Sequence, residues 1–174
     1  MSTEMNASGT SAILRPWDPQ LQQERGARLM GLVRGAARRF FHDDGRCALN
    51  EVLDFDFDHE KVPEKPFYLR ERVNCVLALM AGTDDDVAFG NRILDHIELT
   101  SCDFTTTNLV EMLLRHPERV SKANTARLLA HIAEEIVHIR TTHNFYIGAN
   151  DNFPSMGTFL FVVGGELVGD DAAV

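Results

Sequence analysis

Residues 143–156 gather the side chains best suited to chemistry in this chain. His143 brings an imidazole, Asn144, Asn150 and Asn152 bring amides, Asp151 a carboxylate, and Phe145, Tyr146 and Phe153 aromatic faces. Sugars are bound by this mixture. Aromatic faces cover apolar C–H patches, and amides or carboxylates bond the hydroxyls. Tyr146 or His143 could also move protons. The same residues make an ordinary turn equally well: Asn and Asp favour turns, Gly148 relaxes the backbone, and the phenylalanines can pin the segment to a core.

A second group lies just upstream. His131, Glu134, Glu135 and His138 follow at helical spacing, and Glu135-x-x-His138 is half of a di-iron carboxylate pattern. His131, Glu135 and His138 can share one flank of a helix. That chemistry needs a second Glu-x-x-His and further inward carboxylates, which the sequence lacks, so the flank reads as solvated Glu–His pairs. Asp54, Asp56, Asp58, His59 and Glu60 form an acidic cluster, in which alternation puts three aspartates on one side of a strand. A solvated strand face accounts for them. Asp84, Asp85 and Asp86 suit a helix N-terminus. There is no nucleophile elbow, Gly-rich phosphate loop or His-Glu-x-x-His. The reading therefore assigns no catalytic residue, no metal and no cofactor.

The elements that position these groups are helical. Asp18-Pro19 starts a helix, with Met30, Val33, Ala37 and Phe40 on one stripe to about Phe41. Gly26, Gly31 and Gly35 weaken it or admit another helix closely. Arg25, Arg28, Arg34, Arg38 and Arg39 read as its solvated face. Residues 43–66 carry no helical period, and Asp54–Asp58 reads as a short strand or extended arm closed by Pro63 and Pro66. Residues 67–81 align Leu69, Val73, Val76 and Met80. Gly82 breaks the chain, Thr83 caps, and 84–98 align Val87, Gly90, Leu94 and Ile97, which makes an αα-hairpin. A shorter helix over 106–115 ends at His116-Pro117. Ser121 caps a long helix over 122–142, with the stripe Thr125, Leu129, Ile132, Ile136 and Ile139. An apolar helix with Phe159, Leu160, Val162, Val163 and Leu167 follows the 143–156 loop. Its Gly164-Gly165 pair predicts tight packing or a kink.

Composition bounds the rest. The 174 residues suit one domain, with 1–15 a disordered tail and 16–174 a helical-hairpin domain. A net charge of −9 argues against a general nucleic-acid surface. Cys47, Cys75 and Cys102 fit free or buried thiols in a reduced compartment, not a disulfide frame or zinc site. No apolar run is long enough to span a membrane. No signal peptide is visible, which makes the cytoplasm the default location.

Asn150-Asp151-Asn152 precedes an apolar helix ending Gly165-Glu166-Leu167-Val168-Gly169-Asp170. This segment resembles α/α-toroid carbohydrate-active proteins, namely the heparinase-type polysaccharide lyases and the six-hairpin glycoside hydrolases. Leu77-Ala78-Leu79-Met80-Ala81-Gly82 with its acidic helix start is similar to a toroid hairpin, and the resemblance spans residues 67–174. It implies an all-α array of consecutive αα-hairpins and a carbohydrate ligand. Asn150 and Asn152 are implied as substrate-binding positions, joined by Asp151, Tyr146 and His143 on the chemistry of the loop. The lyase pattern has a second asparagine where this chain has Asp151, and a histidine where it has Asn152. A carboxylate there repels a uronate.

Leu79–Ala88 and Val163–Ala173 also match: an apolar helix runs out at glycine, an acidic cluster follows, and a new apolar run begins. The second copy stops after about one turn, too little to hold itself. The expectation is an incomplete α/α toroid truncated at its C-terminal end, inactive alone, and self-associating through an uncovered apolar face. A complete, non-catalytic helical-repeat interaction module is the alternative. A metal-dependent helical enzyme built on His131–His138 is a third reading.

Overall fold

The computed structural model describes residues 18–48, 66–100, 103–142 and 152–170. The expected tail, the Asp54–Asp58 strand and Cys102 lie outside these. The described residues are all-α: α1 (Pro19–Phe40), α2 (Pro66–Met80), α3 (Asp84–His96), α4 (Asp103–Arg115), α5 (Lys122–Thr142), α6 (Asn152–Phe159) and α7 (Gly165–Val168). A π-helical turn, Leu160–Gly164, joins the last two. None of them contains a strand, and one antiparallel bridge pairs Phe41 with Cys47.

Local signals set most of the ends. The Asp18 carboxylate accepts from the Leu21 amide, and Pro19 occupies the first turn, where its missing N–H costs nothing. Thr83 and Asp86 form a reciprocal capping box at α3. The apolar pattern through residue 98 overran the end of α3, because Ile97 is already extended and is buried as a cap residue.

Helix α2 packs against α1, α3 and α4. That is why Leu69, Val73, Cys75, Val76, Ala78, Leu79 and Met80 are all buried, which is more than one stripe. Burial pushes the Cys75 thiol up to about 11, so it is inert as a nucleophile at neutral pH. Cys47 and Cys75 are free.

Helix α5 buries Leu128, Ile132, Glu135, Ile136 and Ile139, while Leu129 and Thr125 are half-buried. The Gly164-Gly165 pair sits where the π-turn ends. A Cβ on Gly164 would lie 3.4 Å from Ile132, 3.5 Å from Ile136 and 3.7 Å from Val110, ordinary contact distances, so the turn faces α4 and α5 here with room for a methyl group.

The two glycines of the internal match differ. Gly169 adopts the left-handed conformation (φ 72°) and the Asp170 amide bonds back to Gly165, a helix-ending glycine turn. Gly82 is not left-handed. It is needed for space instead, because a Cβ there would run into the Asp86 side chain that closes the capping box.

Arginines tie helix ends together. Arg119 donates to the carbonyls of Met80 (2.5 Å) and Gly82 (2.8 Å). Arg127 donates to those of Ile97 (2.8 Å) and Leu94. Asn91 accepts from the Ser121 amide and donates to Arg119 O, and Asn124 bonds Asp95 at 2.8 Å. Exposed C-terminal carbonyls carry partial negative charge, so a guanidinium is a natural partner for them.

Candidate functional site

Of the loop residues marked by the sequence, His143, Tyr146, Asn150 and Asp151 lie outside the described residues. Asn152 is the first residue of α6. Helices α5 and α6 flank this connection, and both pack on α4.

The His131 group is drawn together in part. His131 Nε2 lies 3.8 Å from Glu135 Oε2, one turn along α5. From α4, Thr106 Oγ1 reaches the same carboxylate oxygen at 3.5 Å. The flank read as solvated is therefore buried at Glu135, which is 2% exposed. Helix α4 begins earlier than residue 106, and its added first turn brings Thr105 and Thr106 into the interior. His138 stands on the exposed side of α5 instead. No three metal-binding side chains gather among the described residues.

Burial holds His131 below its ordinary pKa of 6.5, opposed by the Glu135 and Glu134 charges and assisted by Arg127. The imidazole is thus neutral at pH 7, and its Nε2 and Thr105 Oγ1 are buried without a hydrogen-bond partner among the described residues. A neutral buried histidine opposes protonation in the fold but not in the unfolded chain. Stability is full above pH 6.5 and falls as pH drops from there to the lower folded pKa. Burial also lowers His116, which adds a fall of the same sign. We expect His131→Gln to flatten part of this fall in urea titrations between pH 7 and about pH 5. An unchanged slope would remove His131 as its source. Asp86, held low chiefly by the Arg38 hydrogen bond, acts later, its contribution being lost as pH falls below 3.8.

A shallow depression of about 600 Å³ lies at the 42–47 turn, lined by His42, Asp43, Asp44, Arg46 and Cys47. Its cation is engaged, since Arg46 Nη2 is 2.6 Å from Asp44 Oδ2, and this pairing lowers Asp44 to about 2.

Among the described residues, helix α1 holds the most exposed large apolar side chains. Its inner side is anchored through Ala37, through Arg38 on Asp86 (2.7 Å) and through Arg34 donating to Ala78 O (3.4 Å). Arg38 also lies 4.8 Å over the Phe89 ring. Helical spacing places Arg25, Arg28, Leu32, Gly35 and Arg39 on the opposite side, with Leu29 and Gly31 at its edges. Leu32 is 73% exposed and Leu29 60%. Arg25, Arg28 and Arg39 make no ion pair among the described residues, whereas Arg34 and Arg38 are spent on Asp86.

The sequence marked this arginine stretch but took all five as one solvated face. The signal for two faces was Leu29 and Leu32 standing off the Met30–Val33–Ala37–Phe40 stripe. Gly31 and Gly35 are open as well: a Cβ would meet nothing nearer than 4.0 Å. No segment among the described residues uses their smallness. Gly31→Ala and Gly35→Ala should each stabilise the isolated protein by about 0.5–1 kcal/mol in chemical denaturation. A loss of stability would mean that something already packs on them.

Protein-family models, curated proteins and solved structures were each compared with the chain, and none matches.

Proposed function

We propose that this chain is a non-catalytic helical-hairpin interaction module whose contact surface is the outer face of α1. The carrying observation is the pair Leu29 and Leu32, exposed between unpaired arginines on a helix whose inner side is already anchored. Burying a leucine is worth about 1.5–3 kcal/mol, so a partner seated there recovers free energy that the isolated fold leaves unused. The hairpin arrangement is supported by the short connections between α2 and α3 and between α4 and α5, which Arg119 of the second ties to the first through the carbonyls of Met80 and Gly82. The test is affinity capture from the protein's own cell extract with the full chain and with Leu29→Ser/Leu32→Ser. Proteins held by the parent chain should be lost from the variant while its melting temperature stays unchanged. Equal capture by both would reject the reading.

A second reading has Asn152 in its favour, since it heads α6 as the toroid resemblance expects of a residue opening an inner helix. Here the chain is the N-terminal segment of an α/α-toroid glycoside hydrolase or polysaccharide lyase, inactive alone. It supplies His143, Tyr146, Asn150, Asp151 and Asn152 to a carbohydrate. Leu114, Val137 and Val162, exposed on α4, α5 and the π-turn, would be the surface for self-association. Calorimetry with neutral and uronate oligosaccharides decides it. Heat lost in Asn150→Ala supports it, and no heat with either sugar class removes it.

A further inference from the structure

Helix α1 carries five arginines and one glutamate in a chain of net charge −9. Among the described residues the fold consumes only two of those arginines, both on Asp86. The remaining three, Arg25, Arg28 and Arg39, surround Leu32 on the side facing away from α2. Two apolar side chains inside a cationic rim, beside two open glycines, form a surface of definite chemistry. Resting on α1 as the contact face, we propose that its occupant is an acidic amphipathic helix of a partner protein. That helix lays leucine-class side chains on Leu29 and Leu32, sets carboxylates against Arg25, Arg28 and Arg39, and approaches closely over Gly31 and Gly35.

Charge complementarity selects this occupant over three others. A second copy is disfavoured. Each α1 brings three unpaired arginines against the single Glu24 to such a contact, so either a parallel or an antiparallel pairing faces net positive charge with net positive charge. Like charges across an interface oppose association. Nucleic acid would satisfy the arginines but leave Leu29 and Leu32 unused, and the negative chain as a whole repels phosphates. A lipid surface needs a long apolar stripe sunk into the acyl boundary. Helix α1 offers only two well-exposed leucines there, and its other side is fastened to the body of the fold. An acidic helix uses all three features: leucines at the desolvated centre, arginines at the rim, and glycines that let the two axes come close.

The experiment uses the full chain and a synthetic helical peptide that presents leucines at i, i+3 and i+7 flanked by glutamates. Its lysine-for-glutamate twin, phosphatidylserine-containing vesicles and duplex DNA serve as competing probes, and binding is followed by fluorescence anisotropy. The expected result is binding of the glutamate peptide and not of its twin. Affinity should fall about tenfold in Arg25→Gln/Arg28→Gln/Arg39→Gln and about tenfold or more in Leu32→Ser. Raising salt from about 0.1 M to about 1 M, which shortens the Debye length from about 10 Å to about 3 Å, should weaken it similarly. Gly35→Leu is the control for shape. A Cβ there meets nothing within 4 Å among the described residues, so stability should hold while binding falls about tenfold.

Leucine-dependent binding of both peptides alike would overturn the acidic partner and leave the contact face standing. Binding indifferent to Leu29 and Leu32 would overturn both. Failure to bind the glutamate peptide, tighter binding of vesicles or DNA, or a dimer in sedimentation that Leu32→Ser abolishes would each overturn the proposed occupant.

Discussion

Gly90→Leu should lower the free energy of unfolding by about 3 kcal/mol, with the same denaturant slope as the parent. Helices α2 and α3 meet at Gly90. A Cβ there would already lie 3.1 Å from Met80 Cε, 3.2 Å from Leu79 Cβ and 3.7 Å from Val76 Cγ1. Met80 can swing its terminal methyl aside. The Leu79 Cβ cannot move without its backbone, and three further carbons on residue 90 must then enter a filled interior. Met80, Leu79 and Val76 are each 0% exposed, so no solvent-filled space receives them. Helices α2 and α3 must separate, and α2 also carries α1 and α4. Gly90→Ala is the graded companion. Its cost should be smaller, since a few tenths of an ångström suffice and alanine recovers helix propensity. Equal stability of the leucine variant and the parent would show that the two helices do not approach here.

Arg127→Met should cost about 2–3 kcal/mol in the same assay. Its guanidinium is shared between the carbonyls of Leu94 and Ile97 at the end of α3 and the side-chain oxygen of Asn124. Leu94 and Ile97 are buried, at 0% and 2% exposure. Methionine keeps most of the apolar stem but strands the Ile97 carbonyl, and it leaves the Leu94 carbonyl with the Ile97 amide alone, at a helix end where carbonyls are short of donors. Charge alone is not the cause, so Arg127→Lys should recover only part of the loss: one ammonium cannot reproduce the fork that spans both carbonyls. A change under about 0.5 kcal/mol, the range of ordinary surface substitutions, would reject the bridge.

Local chemistry accounts for what was legible beforehand. Helix starts were readable because their determinants are contiguous: Asp18-Pro19 for α1, and Thr83 with Asp86 for α3. The all-α class followed from apolar residues at helical spacing. The carbohydrate loop and the Asp54–Asp58 arm rest on residue types alone; the arm and residues 143–151 lie outside the described residues, while the loop expected to run to Met156 gives way at Asn152 to the first turn of α6. Among the described residues, the errors came where two surfaces compete for one helix. On α5 the stripe through Leu129 and Thr125 passed over Glu135. Which flank is buried depends on α4, whose Thr106 hydroxyl meets that carboxylate across 29 positions of sequence.

By itself, the sequence determined the all-α class, the helix starts at Asp18, Thr83 and Ser121, and the net charge of −9. Each of these depends on neighbours within a turn or on summed composition. The tertiary structure alone decided that Glu135 is interior and that Arg119 and Arg127 close the ends of α2 and α3. It also decided that two of α1's arginines are spent on Asp86 while three remain outward beside Leu29 and Leu32. A helical period says that a helix has sides. Only the packing of distant segments says which side is covered, because burial is a property of the partner as much as of the residue.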